Sequence, residues 1–240
     1  MIHITISPAL PTLVTAAGDR AGIRPCGKSG LISRHYSSED SAMAAWIGYS
    51  VLVGVIAYLC GSIPTGYWLG MLLQGIDLRE HGSRSTGATN VLRVLGKAPA
   101  LAVLLIDLLK GVAAVAFARW LYSLPAVVAA APAAIDLGNW LPWAIAAAAL
   151  MAILGHSRSI WIQFKGGKSA ATGLGVLLAM SWPVGLGVAV SFGVVLAASR
   201  IVSLSSIAAA VAAIILMGMF HQPTAFLLMA IAAEPDVAVT

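Results

Sequence analysis

From Met43 onward the chain alternates long apolar stretches with short polar ones. Counted at about 20 residues per membrane-crossing helix, the stretches predict helices over roughly 44–73, 98–121, 139–155, 170–199 and 204–220, with a short last run over roughly 224–233. Gly61, Pro64 and Gly66 interrupt the first stretch, and Ser181-Trp182-Pro183 interrupts the fourth. Proline disfavours a helical conformation for the residue before it, so Trp182 marks a break and 170–199 is expected to form two short helices. No internal repeat is evident. The expected fold class is all-α: a polytopic membrane helical bundle of about seven short or broken transmembrane helices.

Composition makes the membrane reading firm. Apolar residues are 60% of the chain, charged residues 10%, and the mean hydropathy is +0.93. A soluble domain carries about 25% charged residues to cover its surface, so lipid must serve as the outer solvent here. The net charge of +5 then reads as loop charge that sets orientation, and nucleic acid is excluded as a partner. Arg79, Arg84, Arg93 and Lys97 fall in the loop 74–97, and Arg158, Lys165 and Lys168 in the loop 156–169. The connection 122–138 has Asp136 and neither Lys nor Arg. Both basic loops are therefore expected in the cytoplasm, and 122–138 outside. Arg200 returns to the cytoplasmic side only if 170–199 crosses twice.

The same topology puts the N-terminus outside, although residues 1–42 carry Arg20, Arg24, Lys28 and Arg34 and no apolar core of a signal peptide. This stretch is expected to be a disordered tail or a segment upstream of the true start at Met43, leaving 43–240 as one integral-membrane domain. Cys26 and Cys60 have neither disulfide nor metal-ligand spacing, and no cofactor or metal is expected.

The candidate chemistry lies in the two loops. The first runs from His81 to Arg93 and includes Gly82, Ser83, Ser85, Thr86, Gly87, Thr89 and Asn90. Glycines permit close backbone approach and positive φ. Successive N–H groups in such turns form anion-binding nests, a helix starting near Thr89 would add its free N–H groups, and Arg93 suits a bidentate phosphate contact. An ordinary loop with positive-inside charge would carry the same arginines. The second loop holds Gly155, His156 and Arg158, then Lys165, Gly166, Gly167, Lys168, Ser169 and Thr172. Gly167-Lys168-Ser169 resembles the end of a Walker A motif, but Ile162 stands where that motif needs glycine, so ATP is not expected. His156 has the pKa range of a general base, although a lone histidine is more often structural. Asp107 and Lys110 are spaced to pair on one face of a helix, as a buried structural pair or as a substrate contact.

These blocks resemble the bacterial acyl-phosphate:glycerol-3-phosphate acyltransferase family. The likeness is carried by Gly61-Ser-Ile-Pro-Thr-Gly66, the block ending at Arg93, Asp107 with Lys110-Gly111, and the run from Gly155 to Lys168. It implies transfer of an acyl group from acyl phosphate to the sn-1 hydroxyl of glycerol 3-phosphate at the inner membrane, giving lysophosphatidic acid and phosphate. It also implies a functional link to a phosphate:acyl-ACP acyltransferase that supplies the donor. Ser83 and its turn would hold the acyl-phosphate head group, with Arg93, Lys168 and Ser206 lining the phosphate pocket. His156, Ser83 and Lys168 are the candidate catalytic residues. Gly82, Ser83, Gly87, Thr89, Asn90, Arg93, Lys165, Gly166, Gly167, Lys168 and Ser206 are the candidate substrate-binding ones.

No Ser-His-Asp constellation or Gly-x-Ser-x-Gly elbow is present. An acyl phosphate is already an activated mixed anhydride, so direct attack without a covalent enzyme intermediate is expected. Arg84 stands where the family usually has glycine. The last apolar run gives way to Glu234-Pro-Asp-Val-Ala-Val-Thr240, where the family has a further tail, so a C-terminally truncated chain is expected. The alternative function is a transporter or channel for phosphate or organic anions, which broken helices and intramembrane charges would also suit. A purely structural membrane subunit would leave the Lys165–Lys168 block without purpose.

Overall fold

The computed structural model describes residues 28–238, with side chains for 39–233. Ten α-helices follow one another, and no strand occurs among the described residues: α1 (Lys28–Ser62), α2 (Thr65–Gln74), α3 (Ala88–Val94), α4 (Lys97–Ser123), α5 (Pro125–Ala129), α6 (Leu137–Ser157), α7 (Ala170–Met180), α8 (Trp182–Ser199), α9 (Val202–Met219) and α10 (Thr224–Ala238). Of the expected tail, residues 1–27 lie outside the described residues, and the chain is helical from Lys28. From Ser38 onward it forms one unit.

Glu39–Gln74, Lys97–Ser123, Leu137–Ile162, Trp182–Ser199 and Val202–Met219 are long and apolar enough to cross a membrane, and Ala170–Met180 and Thr224–Ala233 are shorter apolar helices. The expected all-α membrane bundle is thus the fold. The first stretch breaks at Pro64, which precedes α2, because proline has no N–H to donate and fits only in the first turn of a helix. The fourth breaks one residue earlier than expected. Ser181 is the extended residue (φ −153°, ψ 101°) and Trp182 already begins α8. Pro183 is tolerated behind it because first-turn N–H groups have no helical acceptor.

Small residues set the helix packing, as they must where lipid removes the hydrophobic drive between helices. A Cβ on Gly61 of α1 would strike the Ala152 carbonyl of α6, and one on Gly155 would strike the Tyr58 carbonyl, so these helices touch backbone to backbone. Gly111 of α4 meets the Thr172 carbonyl, and Gly175 of α7 meets the Leu108 carbonyl. Midway along α1, beside the end of α4 and the start of α6, Trp46 packs against Tyr49, Tyr122 and Trp140.

α7 has only 11 residues. At 1.5 Å per residue it covers only about 17 Å of a roughly 30 Å core. Its first turn lies beside Asp107–Gly111, which are some 15–20 Å along α4 from Lys97 by the same rise. Gly166 and Gly167 bond back to the last turn of α6, so the loop returns to where it left, and α7 starts beside the end of α6 and the middle of α4. This brings the second basic loop beside the first.

Candidate active site

The first loop is built around one side chain. Asn90, 1% exposed, accepts from the Ser83 N–H through Oδ1 at 2.7 Å. Its Nδ2 donates among the carbonyls of Leu78, His81 and Ser85 at 3.1, 3.0 and 2.8 Å. The amide thus closes residues 78–90 into a ring. Gly82 takes φ +58°, and a Cβ there would collide with Asn90 Oδ1, so glycine is required for the ring to close. Arg84 sits at φ 57° without glycine's freedom. Asp77 caps the short 3-10 turn Leu78–Glu80 and pairs with Arg79 at 2.7 Å. Hydrogen bonding to that guanidinium holds the Asp77 carboxyl below its ordinary value. Arg79 also donates to the Ile162 carbonyl at 3.1 Å, tying the first loop to the second.

The second loop is held by its neighbours. Tyr58 donates to the Arg158 carbonyl at 2.7 Å, and Ser159 to the Ser62 carbonyl. Gln163 and Phe164 turn the chain at φ 57° and 60°. Gly166 and Gly167 then donate back to the carbonyls of Ser157 and His156 at 3.1 and 3.3 Å. Both glycines are sterically required. A Cβ on Gly166 would strike the His156 carbonyl. One on Gly167 would lie 2.8 Å from Thr86 Oγ1, 2.9 Å from His156 Nε2 and 3.1 Å from the Gly87 nitrogen. Gly167 is the seam where the two loops meet.

Above this seam a cavity of about 260 Å³ opens into the bundle. Its polar end is lined by Ser83, Ser85, Arg93, Lys168, Ser203 and Ser206, and Gly87, Thr89 and Asn90 complete that wall. Seven of the expected residues are thereby brought together: Ser83, Gly87, Thr89, Asn90, Arg93, Lys168 and Ser206. Gly82, Gly166 and Gly167 shape the loops without lining the cavity, and Lys165 is exposed away from it. Asn90 lines the wall, but its amide is committed to the loop. His156 is buried behind Gly167, with Nδ1 3.3 Å from Thr172 Oγ1 and 3.8 Å from Asp107 Oδ1, and its ring does not line the cavity.

Asp107 and Lys110 form a buried ion pair at 2.9 Å. Lys110 also donates to the Ile63 carbonyl at the break before α2, at 3.0 Å. Asp107 reaches the cavity wall as well, so of the two readings the sequence left open, the pair is buried and one member also faces the cavity. Ser203, one of the serines that open α9 and that the sequence offered as helix caps or as facing this pocket, lies on the wall with Ser206, and Ser85 of the hydroxyl-rich loop joins them.

The structure so far defines a class: a multi-pass helical membrane protein whose two basic loops close the polar end of an apolar cavity. The family follows from comparison. The family model described as glycerol-3-phosphate acyltransferase matches residues 51–235. The "Glycerol-3-phosphate acyltransferase" of Acaryochloris marina (strain MBIC 11017) is 55% identical over 191 residues, 80% of this chain and 85% of that protein. The "Glycerol-3-phosphate acyltransferase 2" of Rhizobium johnstonii is 59% identical over 192 residues, 79% of this chain and 87% of that protein. The crystal structure of PlsY (YgiH), an integral membrane glycerol 3-phosphate acyltransferase, in its glycerol 3-phosphate form superposes with a TM-score of 0.68 at 32% identity, covering 79% of this chain and 86% of that one. Its lysophosphatidic acid form gives 0.66 at 31% identity, with the same coverage. This chain belongs to the glycerol-3-phosphate acyltransferase family.

Proposed function

We propose that this protein acylates the sn-1 hydroxyl of glycerol 3-phosphate with acyl phosphate as donor, releasing lysophosphatidic acid and inorganic phosphate. The observation that carries the reading is the shape of one cavity: a hydroxyl-rich end with two cations, Arg93 and Lys168, continues into an apolar interior between α7, α8, α9 and α10. An acyl phosphate has the same two-part character, a dianionic head on a hydrocarbon tail.

In the proposed reaction the sn-1 oxygen attacks the acyl carbonyl carbon. The carbon–oxygen bond to phosphate breaks, and the phosphate leaves with the bonding pair. Arg93 and Lys168 stabilise the charge gathering on the departing phosphate, and the Ser83 hydroxyl holds the head group. The hydroxyl proton passes to a phosphate oxygen of the substrate, since His156 stands behind the Gly167 backbone. His156 acts instead as a positioning residue for the seam. The donor is already activated, so no acylated enzyme forms.

The charge asymmetry between the two motif loops and 122–138 supports placing the site at the cytoplasmic face of the inner membrane. An enzyme that makes acyl phosphate from acyl carrier protein would supply the donor. The cavity is closed at its far end by the packed core around Val184, Met180 and Met217, which favours a transferase over a channel.

Phosphate release from palmitoyl phosphate, measured with the purified chain in lipid, tests the reading. Release that depends on glycerol 3-phosphate and drops at least a hundred-fold in Lys168→Ala is expected, the scale of losing one charge-stabilising donor. Trapping of a covalent acyl-enzyme would overturn the direct mechanism.

A further inference from the structure

The cavity continues well past its polar end. Along α9, Ser203 and Ser206 are followed on its wall by Ala209, Ala210 and Ala213. The rise from Ser203 to Ala213 is about 15 Å at 1.5 Å per residue. Alanines at these positions leave an open tube where larger side chains would fill it. At the far end the wall is made by Leu177 of α7, Val188 of α8 and Met229 of α10.

Beyond that level the bundle is solid. Val184, Met217 and Met180 are 0%, 1% and 5% exposed and belong to the core. Two glycines pull the helices together there. A Cβ on Gly185 would stand 2.6 Å from Cα and N of Leu178, and one on Gly187 would stand 2.6 Å from Leu216 Cδ1. α8 is thereby pressed against α7 and α9, and the tube ends blind.

From this geometry we infer that Ala213, Val188 and Met229 form a ruler that limits the length of the acyl chain the enzyme transfers. The inference rests on the reading of the polar end as an acyl-phosphate site. A blind apolar tube accepts methylenes until the terminal methyl meets its floor. A longer chain then has to displace side chains packed at crystal-like density, and its head group is pushed out of register with Ser83 and Lys168. The alanine row sets the bore, and the residues at the floor set the depth.

The test compares turnover of a series of saturated acyl phosphates, octanoyl to stearoyl, by the wild-type chain, Ala213→Leu and Met229→Ala, each purified in the same lipid. Ala213→Leu shortens the tube, and the ratio of palmitoyl to octanoyl turnover is expected to fall by about ten-fold or more, the scale of methylene-level discrimination in an apolar pocket. Met229→Ala deepens the tube and is expected to move the optimum toward longer chains. Ala213→Val is the milder insertion, expected to act in the same direction as leucine if that variant does not fold. An unchanged chain-length profile in the alanine and methionine variants would overturn the ruler and show that the tail leaves the cavity sideways into lipid. Absence of glycerol-3-phosphate-dependent release by the wild type with every chain would instead sink the underlying function, so the two failures are distinguishable.

Discussion

The two loops that frame the polar end of the cavity are held in opposite ways. Residues 78–90 carry their own scaffold: one buried amide, Asn90, ties the Ser83 nitrogen and three carbonyls into a ring. Residues 156–169 have backbone bonds of their own from Gly166 and Gly167, but their side-chain support is borrowed, from Tyr58, the Ser62 carbonyl and Arg79. A self-stapled loop should fail as a unit when its hub is lost, while a borrowed one should fail at the seam where it meets its neighbours. Both kinds of support serve one end, to present Ser83, Arg93 and Lys168 to the same cavity.

The strongest way to break this contrast is Asn90→Ala. It leaves the Ser83 N–H and the carbonyls of Leu78, His81 and Ser85 without their partner, and an unsatisfied buried group costs about 1–3 kcal/mol. Transfer should fall to background, and amide exchange should rise across 78–90 while 156–169 stays protected. An equal rise in both loops would show that the first is not self-supporting.

Gly167→Ala should have the next largest effect. Its Cβ would press on Thr86 Oγ1, His156 Nε2 and the Gly87 nitrogen together. Displacement of a catalytic loop by about 1 Å costs on the order of a hundred-fold in rate, and kcat/KM should drop by that scale with both loops still protected. Thr86→Ala removes the nearest atom, so the double variant should recover part of the loss, because substitutions at touching sites do not add. Strict additivity would place the damage elsewhere than the seam.

Arg84→Gly is the smallest change and sharpens the account of the first loop. Relief of a left-handed residue is worth about 1–2 kcal/mol, and the added freedom of glycine in the unfolded chain offsets about 0.4–1 kcal/mol of it. A small rise in thermal stability with unaltered transfer is expected. A large loss of activity would reveal that the guanidinium holds substrate.

Read alone, the sequence carried the membrane bundle, because 60% apolar residues with 10% charged ones leave lipid as the only possible outer solvent and because spans are set by length. It also carried the break in the fourth stretch, since proline acts through its own backbone geometry, although the extended residue is Ser181 and not Trp182. The pairing of Asp107 with Lys110 was legible from helical spacing, and the clustering of donors in the first loop from composition.

Other features depended on neighbours far along the chain. That α7 starts beside the middle of α4 follows from Gly111 and Gly175 fitting against α7 and α4 backbones. His156 lies behind Gly167 because α6 ends against α1. Asn90 serves the loop because Gly82 gives its side chain room. The glycines of Lys165-Gly-Gly-Lys168 were candidates for substrate binding, and the fold uses them for close approach. A local motif specifies what groups are available, by chemistry and by rise per residue. Which of them face the cavity is decided by how closely the helices approach one another, and that distance is a property of residue pairs no local window contains.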